Sequence, residues 1–237
     1  MPYRTVPLCC TFLLLALCAA PTSVWAAAAG ADPEVNKNFT NPALKVNEWV
    51  SKFEIESREV YKFRKRIVRT AGLTRGDAIA DIGAGTGLFT FLFADAVGSQ
   101  GQVLAVDISK PFLEHLQKKA KVGGRRNIKV IEGGAESPNL PAGSVDRIFI
   151  CDTYHHFEHP VPMLAAIARA LKPGGQVILV DFKRQEGVSS EWTLKHVRAG
   201  EEQVVSEFKD AGFTVVRRED FLKDNYVLVF NGPAAKP

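Results

Sequence analysis

Asp81-Ile82-Gly83-Ala84-Gly85-Thr86-Gly87 decides the fold of this 237-residue chain. Ala78–Asp81 is a short apolar run of the kind found in a buried strand, and Gly87–Val97 has the pattern of a helix. The glycines between them let the backbone turn through conformations closed to other residues and let a ligand approach the main chain. Spacing then selects the ligand. A dinucleotide fingerprint has glycine at its first, third and sixth positions, but the sixth residue counted from Gly83 is Leu88. Gly83, Gly85 and Gly87 stand instead at every other residue. A mere tight turn explains one glycine pair; it explains poorly three in register behind Asp81.

Downstream, strand and helix patterns alternate. Strands are expected at Gln102–Asp107, Ile128–Ile131, Val145–Cys151, Gln176–Phe182, Phe213–Arg217 and Tyr226–Phe230, and helices at Pro111–Val122, Pro162–Leu171 and Ala199–Ala211. This order implies an α/β fold, a doubly wound and mostly parallel seven-stranded sheet with helices on both faces. The short link between the last two strands makes them an antiparallel edge hairpin. Ligands of such sheets bind beyond the carboxyl ends of the strands. Asp107 stands at one such end, and its carboxylate suits the two hydroxyls of a ribose; as a competing role it caps the next helix.

Four motifs in order carry a resemblance over about residues 55–230: Asp81–Gly87, Asp107, Glu132-Gly133-Gly134-Ala135-Glu136, and Leu171-Lys172-Pro173-Gly174-Gly175. Together they resemble the class I S-adenosylmethionine-dependent methyltransferases. The resemblance implies S-adenosyl-L-methionine as cofactor, with Asp81, Gly83, Gly85 and Gly87 around its methionine part. It also implies Asp107 and Ile108 at the ribose, and Ala135 and Glu136 beside the adenine. Gly134 departs from the pattern, since many relatives have an acidic residue there. The Leu171–Gly175 segment reads as structural, its proline ending a helix and its glycines turning into the next strand.

Methyl transfer from a sulfonium needs chiefly an aligned nucleophile and exclusion of water. A base is required only for an acceptor that arrives protonated. The end of the fourth strand, Cys151-Asp152-Thr153-Tyr154-His155-His156-Phe157, is expected to face the methyl group. His155 is the first candidate for acceptor contact or general base, with Tyr154 and His156 orienting the acceptor. His155, His156 and His159 suggest a metal, yet no carboxylate or cysteine pattern completes them, and no metal is expected. Cys151 lacks the preceding proline of cytosine-C5 methyltransferases and reads as inert. Past the fifth strand, His196 and Arg198 are candidate substrate contacts in a polar insertion that also carries Trp192. Glu56, Ser57, Arg58 and Tyr61 fall where the family places a lid.

The remainder bounds the setting. Of four cysteines, Cys9, Cys10 and Cys18 lie in the uncharged run Pro7–Ala20 behind Arg4, and Val24 and Ala26 are the small residues of a cleavage site before Ala27. This is the plan of a secretory signal peptide, making the protein exported; an uncleaved membrane anchor is the alternative, although the run is shorter than the roughly 20 residues that span a bilayer. Residues 27–42 read as a flexible linker, 43–76 as an amino-terminal helical lid, 77–232 as the methyltransferase domain and 233–237 as a tail. Leu44–Thr70 has a helical pattern; Val60, Phe63, Ile67 and Val68 share one face, and Lys62, Arg64, Lys65, Arg66 and Arg69 crowd the rest. Such a helix suits a membrane surface or plain solvent. A net charge of +4 argues for no nucleic-acid partner. The expected function is methyl transfer to a small-molecule substrate at oxygen, nitrogen, sulfur or carbon. The alternative is a non-catalytic protein that binds an adenosyl ligand; a nucleotide-linked oxidoreductase is disfavoured by the glycine spacing.

Overall fold

The computed structural model describes Met1 and residues 29–234. The expected signal peptide therefore lies outside the described residues, Met1 apart. No helix among the described residues is long and apolar enough to cross a membrane.

Every residue of Ala78–Ile82 (β1) is buried, because successive side chains point to opposite faces and both faces are covered. Gln102–Asp107 (β2), Ile128–Glu132 (β3), Val145–Cys151 (β4), Leu171–Phe182 (β5), Thr214–Glu219 (β6) and Asn225–Asn231 (β7) complete one sheet in the order β3-β2-β1-β4-β5-β7-β6. β1 to β5 pair in parallel, while β7 runs antiparallel to both β5 and β6. The chain steps outward from β1 to β3 and returns on the other side at β4. That reversal leaves a crevice at the carboxyl ends of β1 and β4, where such sheets bind ligands.

Short helices precede the sheet: Lys37–Thr40 (α1), Val46–Phe53 (α2), Glu59–Lys62 (α3) and Arg64–Thr70 (α4). Later come Leu88–Val97 (α5), Lys110–Val122 (α6), Pro160–Ala170 (α7), Glu191–His196 (α8) and Glu201–Asp210 (α9). Ile79 of β1 packs with Phe89, Phe93 and Val97 of α5 and with Val60 and Ile67 of α3 and α4. Ala80 and Ile82 face the other way, into a cluster holding Leu164 and Ile167 of α7 and Val204 and Phe208 of α9. Alternation along one five-residue strand thus separates the two helical layers.

Three expectations change. The helix expected over Leu44–Thr70 is broken into α2, α3 and α4. The break serves tertiary contacts: Arg58, just before α3, pairs with Asp152, and the Glu59 carboxylate accepts the N–H groups of Lys223, Asp224 and Asn225 at 2.7–2.8 Å. The apolar face with Val60 and Ile67 is buried against the sheet. Within the stretch expected to be a linker, Pro33–Asn36 forms a 3-10 helix that leads into α1. It is held by Ala31 N–H donating to the Phe157 carbonyl at 2.9 Å, and by Asn36 Nδ2 donating to the His156 carbonyl and to Glu158. Finally, α7 ends at Ala170, and β5 begins at Leu171 with a shifted register before Gln176 where Gly174 adopts φ +76°.

Candidate active site

A cavity of about 670 Å³ opens at the carboxyl ends of β1, β2 and β4. Its floor is the glycine loop. Gly83 and Gly85 have φ of +77° and +51°, conformations that favour glycine. A Cβ on Gly83 would overlap the Thr153 side chain, so the loop after β1 and the segment after β4 touch only because residue 83 has no side chain. Gly87 does something different. It lies off the cavity wall and starts α5 at φ +86°, where a Cβ would meet Leu116 and Phe91 at 2.7–2.8 Å.

Asp107 ends β2 and lines the cavity. Its Oδ2 accepts the Gly85 N–H at 2.7 Å and its Oδ1 accepts the Ser109 N–H at 2.9 Å, so the carboxylate ties the glycine loop to the next helix. Burial pushes its pKa up against those two N–H bonds, which leaves the charged form short of partners. Ile108, Gly133, Gly134, Ala135 and Pro138 continue this wall. Glu136 does not; it is exposed and points to no role at the adenine position.

Asp81 also lines the cavity and accepts the Thr90 hydroxyl at 2.5 Å. Burial, opposed by that hydrogen bond and reinforced by the charge of Asp107, raises its pKa to about 7. The folded protein then keeps a proton, between pH about 4 and about 7, that the unfolded chain has released. Stability is therefore present at low pH and lost as pH rises through this window. In the ligand-free protein Asp81→Asn should flatten that fall by about 2–4 kcal/mol. Thermal unfolding from pH 4 to 8 checks it; parallel pH curves for the two proteins would refute it.

At the end of β4 the three expected acceptor-handling residues part company. His155 is buried on the cavity wall, its Nδ1 at 2.7 Å from Asp181 Oδ1 and its backbone N–H donating to Asp181 Oδ2 at 3.1 Å. Burial works to lower the imidazole pKa, and the Asp181 and Asp152 carboxylates together more than offset it. His156 lines the cavity beside it, its pKa held down at about 2 by burial and by His155 and His196. Tyr154 is absent from the wall. It is fully buried between Phe157 and Phe208, its hydroxyl donating to Glu207 at 2.6 Å, so it is part of the core and not an acceptor contact.

The two expected substrate contacts divide similarly. His196, on α8, reaches the cavity and stacks on Trp192 at 4.5 Å between ring centroids. Arg198 does not; both its terminal nitrogens donate to Glu207 at 2.8 Å, and its guanidinium lies over the Tyr154 ring. The reason is spacing: Arg198 follows the end of α8 and turns inward to α9. Cys151 lines the cavity, but burial and then Asp152 push its thiol pKa well up, keeping it unreactive.

Several wall residues carry no sequence signature. Phe39, Trp49, Phe53, Phe112 and Phe182 give the cavity an aromatic lining, with Phe39 against Trp49 at 4.8 Å and edge-on to His156 at 5.3 Å. Of Glu56, Ser57, Arg58 and Tyr61, only Arg58 reaches the wall, where it pairs with Asp152. Asp152 has φ +47°, rare for a residue with a side chain, and also accepts Asn225 Nδ2 at 2.6 Å. Glu56 pairs with Arg64, Tyr61 lies under the Arg64 guanidinium, and Ser57 is exposed.

Residues 79–175 match the family model of a methyltransferase domain. The ubiquinone/menaquinone biosynthesis C-methyltransferase of Francisella philomiragia is 32% identical over 126 residues, 52% of this chain and 49% of that protein. The demethylmenaquinone methyltransferase of Staphylococcus aureus is 29% identical over 148 residues, 62% of this chain and 60% of that one. The chain spans about half the length of the first of these relatives. Among solved structures, a SAM-dependent methyltransferase from Aquifex aeolicus superposes with TM-score 0.69 at 24% identity, covering 81% of this chain and 98% of that one. The [4+2]-cyclase SpnF superposes with TM-score 0.70 at 15% identity over 88% of this chain and 98% of its own. These likenesses establish a Rossmann-like methyltransferase fold, one that also houses a cyclase, so the fold by itself does not fix the chemistry.

Proposed function

We propose, on the premise of the methyltransferase domain matched over residues 79–175, that this protein transfers a methyl group from S-adenosylmethionine to a small, apolar, ring-containing acceptor. One observation carries the acceptor class: the cavity that begins at the glycine loop is lined by six aromatic side chains, Phe39, Trp49, Phe53, Phe112, Phe182 and Trp192, with the histidines, Asn36, Lys52 and the Arg58–Asp152 pair among its polar groups. Such a wall favours a flat, largely apolar ring with a few polar atoms to orient. Two of the relatives, the ubiquinone/menaquinone biosynthesis C-methyltransferase and the demethylmenaquinone methyltransferase, are enzymes of quinones, which are ring-containing molecules.

The cofactor fits the residues present. Gly85 offers an open face on which a Cβ would meet only the Phe53 ring, at 3.8 Å, and its own loop, and Asp107 has a buried carboxylate with lone pairs to spare beside it. When bound, S-adenosylmethionine supplies a sulfonium methyl open to in-line displacement. Asp107 accepts the ribose hydroxyls, and the backbone of Gly83–Gly85 allows the close approach of the rest. Arg58, held by Asp152, and the helix carrying Phe39 close the cavity and keep water from the sulfonium. His155, its Nδ1 occupied by Asp181, keeps its other ring nitrogen for the acceptor's nucleophilic group. The alternative reading, an adenosyl-ligand binder without transfer, rests on the same floor and would need none of the aromatic wall.

The acceptor class is tested by incubating the protein with methyl-labelled S-adenosylmethionine and cell extract, then partitioning between organic solvent and water. Most of the transferred label should enter the organic phase. Label confined to water-soluble products would remove the apolar-acceptor reading while leaving methyl transfer intact.

A further inference from the structure

Three of the five histidines in the chain meet at one place although they come from two distant segments. His155 and His156 belong to the turn Tyr154–His156 after β4, and His196 to the end of α8. One ring nitrogen of each lies within 4.8 Å of the other two. Their ring centroids are 4.3 Å apart for His155 and His156, 5.2 Å for His155 and His196, and 5.1 Å for His156 and His196. Imidazoles bound to one tetrahedral cation at roughly 2.0–2.1 Å have their centroids about 5 Å apart. His159, the third histidine suggested by the sequence, is exposed before α7 and stands outside the group.

We infer that His155, His156 and His196 form a binding site for a divalent transition-metal ion at the acceptor end of the cavity. Three features support it beyond proximity. Asp181 holds His155 Nδ1 at 2.7 Å, which leaves Nε2 as the ligand atom in the carboxylate–histidine arrangement common behind metal-bound imidazoles. His156 Nδ1 is buried without a hydrogen-bond partner, a polar atom that a cation would satisfy. Trp192 stacked on His196, Phe182 edge-on to His155 and Phe39 edge-on to His156 restrain the three rings in place. All three histidines line the cavity, so a three-nitrogen site keeps a fourth position toward the acceptor, as in metal sites that bind substrate. Neutral imidazoles favour zinc, cobalt, nickel or iron over magnesium or calcium. The site narrows the acceptor to one bearing an oxygen or sulfur donor next to its nucleophilic atom. A cation on Nε2 would replace direct contact between His155 and the acceptor.

The test needs neither donor nor acceptor. The full chain, stripped with chelator, is titrated with Co²⁺ followed by visible absorption, and with Zn²⁺ followed by calorimetry. One equivalent should bind with the intense bands of four-coordinate cobalt, His196→Ala should weaken binding by at least roughly tenfold, and His159→Ala should leave it unchanged. No stoichiometric binding by the wild type, or equal binding by His196→Ala, would overturn the site. Binding of S-adenosylhomocysteine, measured on the same metal-free samples, is expected to persist in every variant. It separates loss of the metal site from failure of the methyltransferase reading or from misfolding.

Discussion

Asp107→Ala should weaken S-adenosylmethionine binding by at least about 100-fold in calorimetry. The carboxylate is proposed to accept two ribose hydroxyls, and hydrogen bonds to a charged group contribute roughly 1.5–3 kcal/mol each. Two of them amount to two or more decades in affinity. The same side chain accepts the Gly85 and Ser109 N–H groups, so its removal also loosens the glycine loop that forms the floor. Asp107→Asn separates these contributions, since it keeps the shape and one acceptor oxygen while removing the charge. It should bind more tightly than the alanine variant and less tightly than the wild type. Wild-type affinity in Asp107→Ala, with unchanged thermal stability, would remove Asp107 from the cofactor site.

Glu207→Ala should cost about 3–5 kcal/mol of stability and lower the melting temperature by about 10 °C or more. Glu207 accepts both terminal nitrogens of Arg198, the Tyr154 hydroxyl and the Gln203 amide, and the side chains of Arg198 and Glu207 are only 9% and 7% exposed. Deleting it strands a buried guanidinium and a buried hydroxyl together. This outcome distinguishes a structural Arg198 from a substrate-binding one. A stable Glu207→Ala with impaired acceptor use would return Arg198 and Tyr154 to the site.

The sheet was legible because its strands carry their own signal. β2 and β4 fall where apolar runs end at Asp107 and Cys151, and the glycine loop announces the ligand end of β1. Residues next to the site in sequence proved harder to place. Tyr154, His155 and His156 are consecutive, yet the 3-10 turn sends Tyr154 to the core and the histidines to the cavity. A period read from sequence does not foretell such a turn. His196 and Arg198 are two residues apart and part in the same way. Asp181, which orients His155 from the adjacent strand, and Phe39, which closes the cavity from a stretch with the composition of a linker, act across the fold. Neither has a local pattern to betray it. Conversely, Glu136 matched a family position in the linear order but lies on the surface, because the turn after β3 presents Gly133, Gly134 and Ala135 to the cavity instead.

The central claim is methyl transfer from the floor built on Asp107 to an acceptor beside His155. It is tested most directly by single-turnover transfer of labelled methyl from S-adenosylmethionine, with cell extract supplying the acceptor and mass spectrometry identifying the product. The wild type is expected to form a methylated small molecule together with S-adenosylhomocysteine in equal amount, and Asp107→Ala to form neither at the same donor concentration. Tight binding of S-adenosylmethionine by the wild type with no labelled product in any fraction would contradict the account and favour a ligand-binding protein.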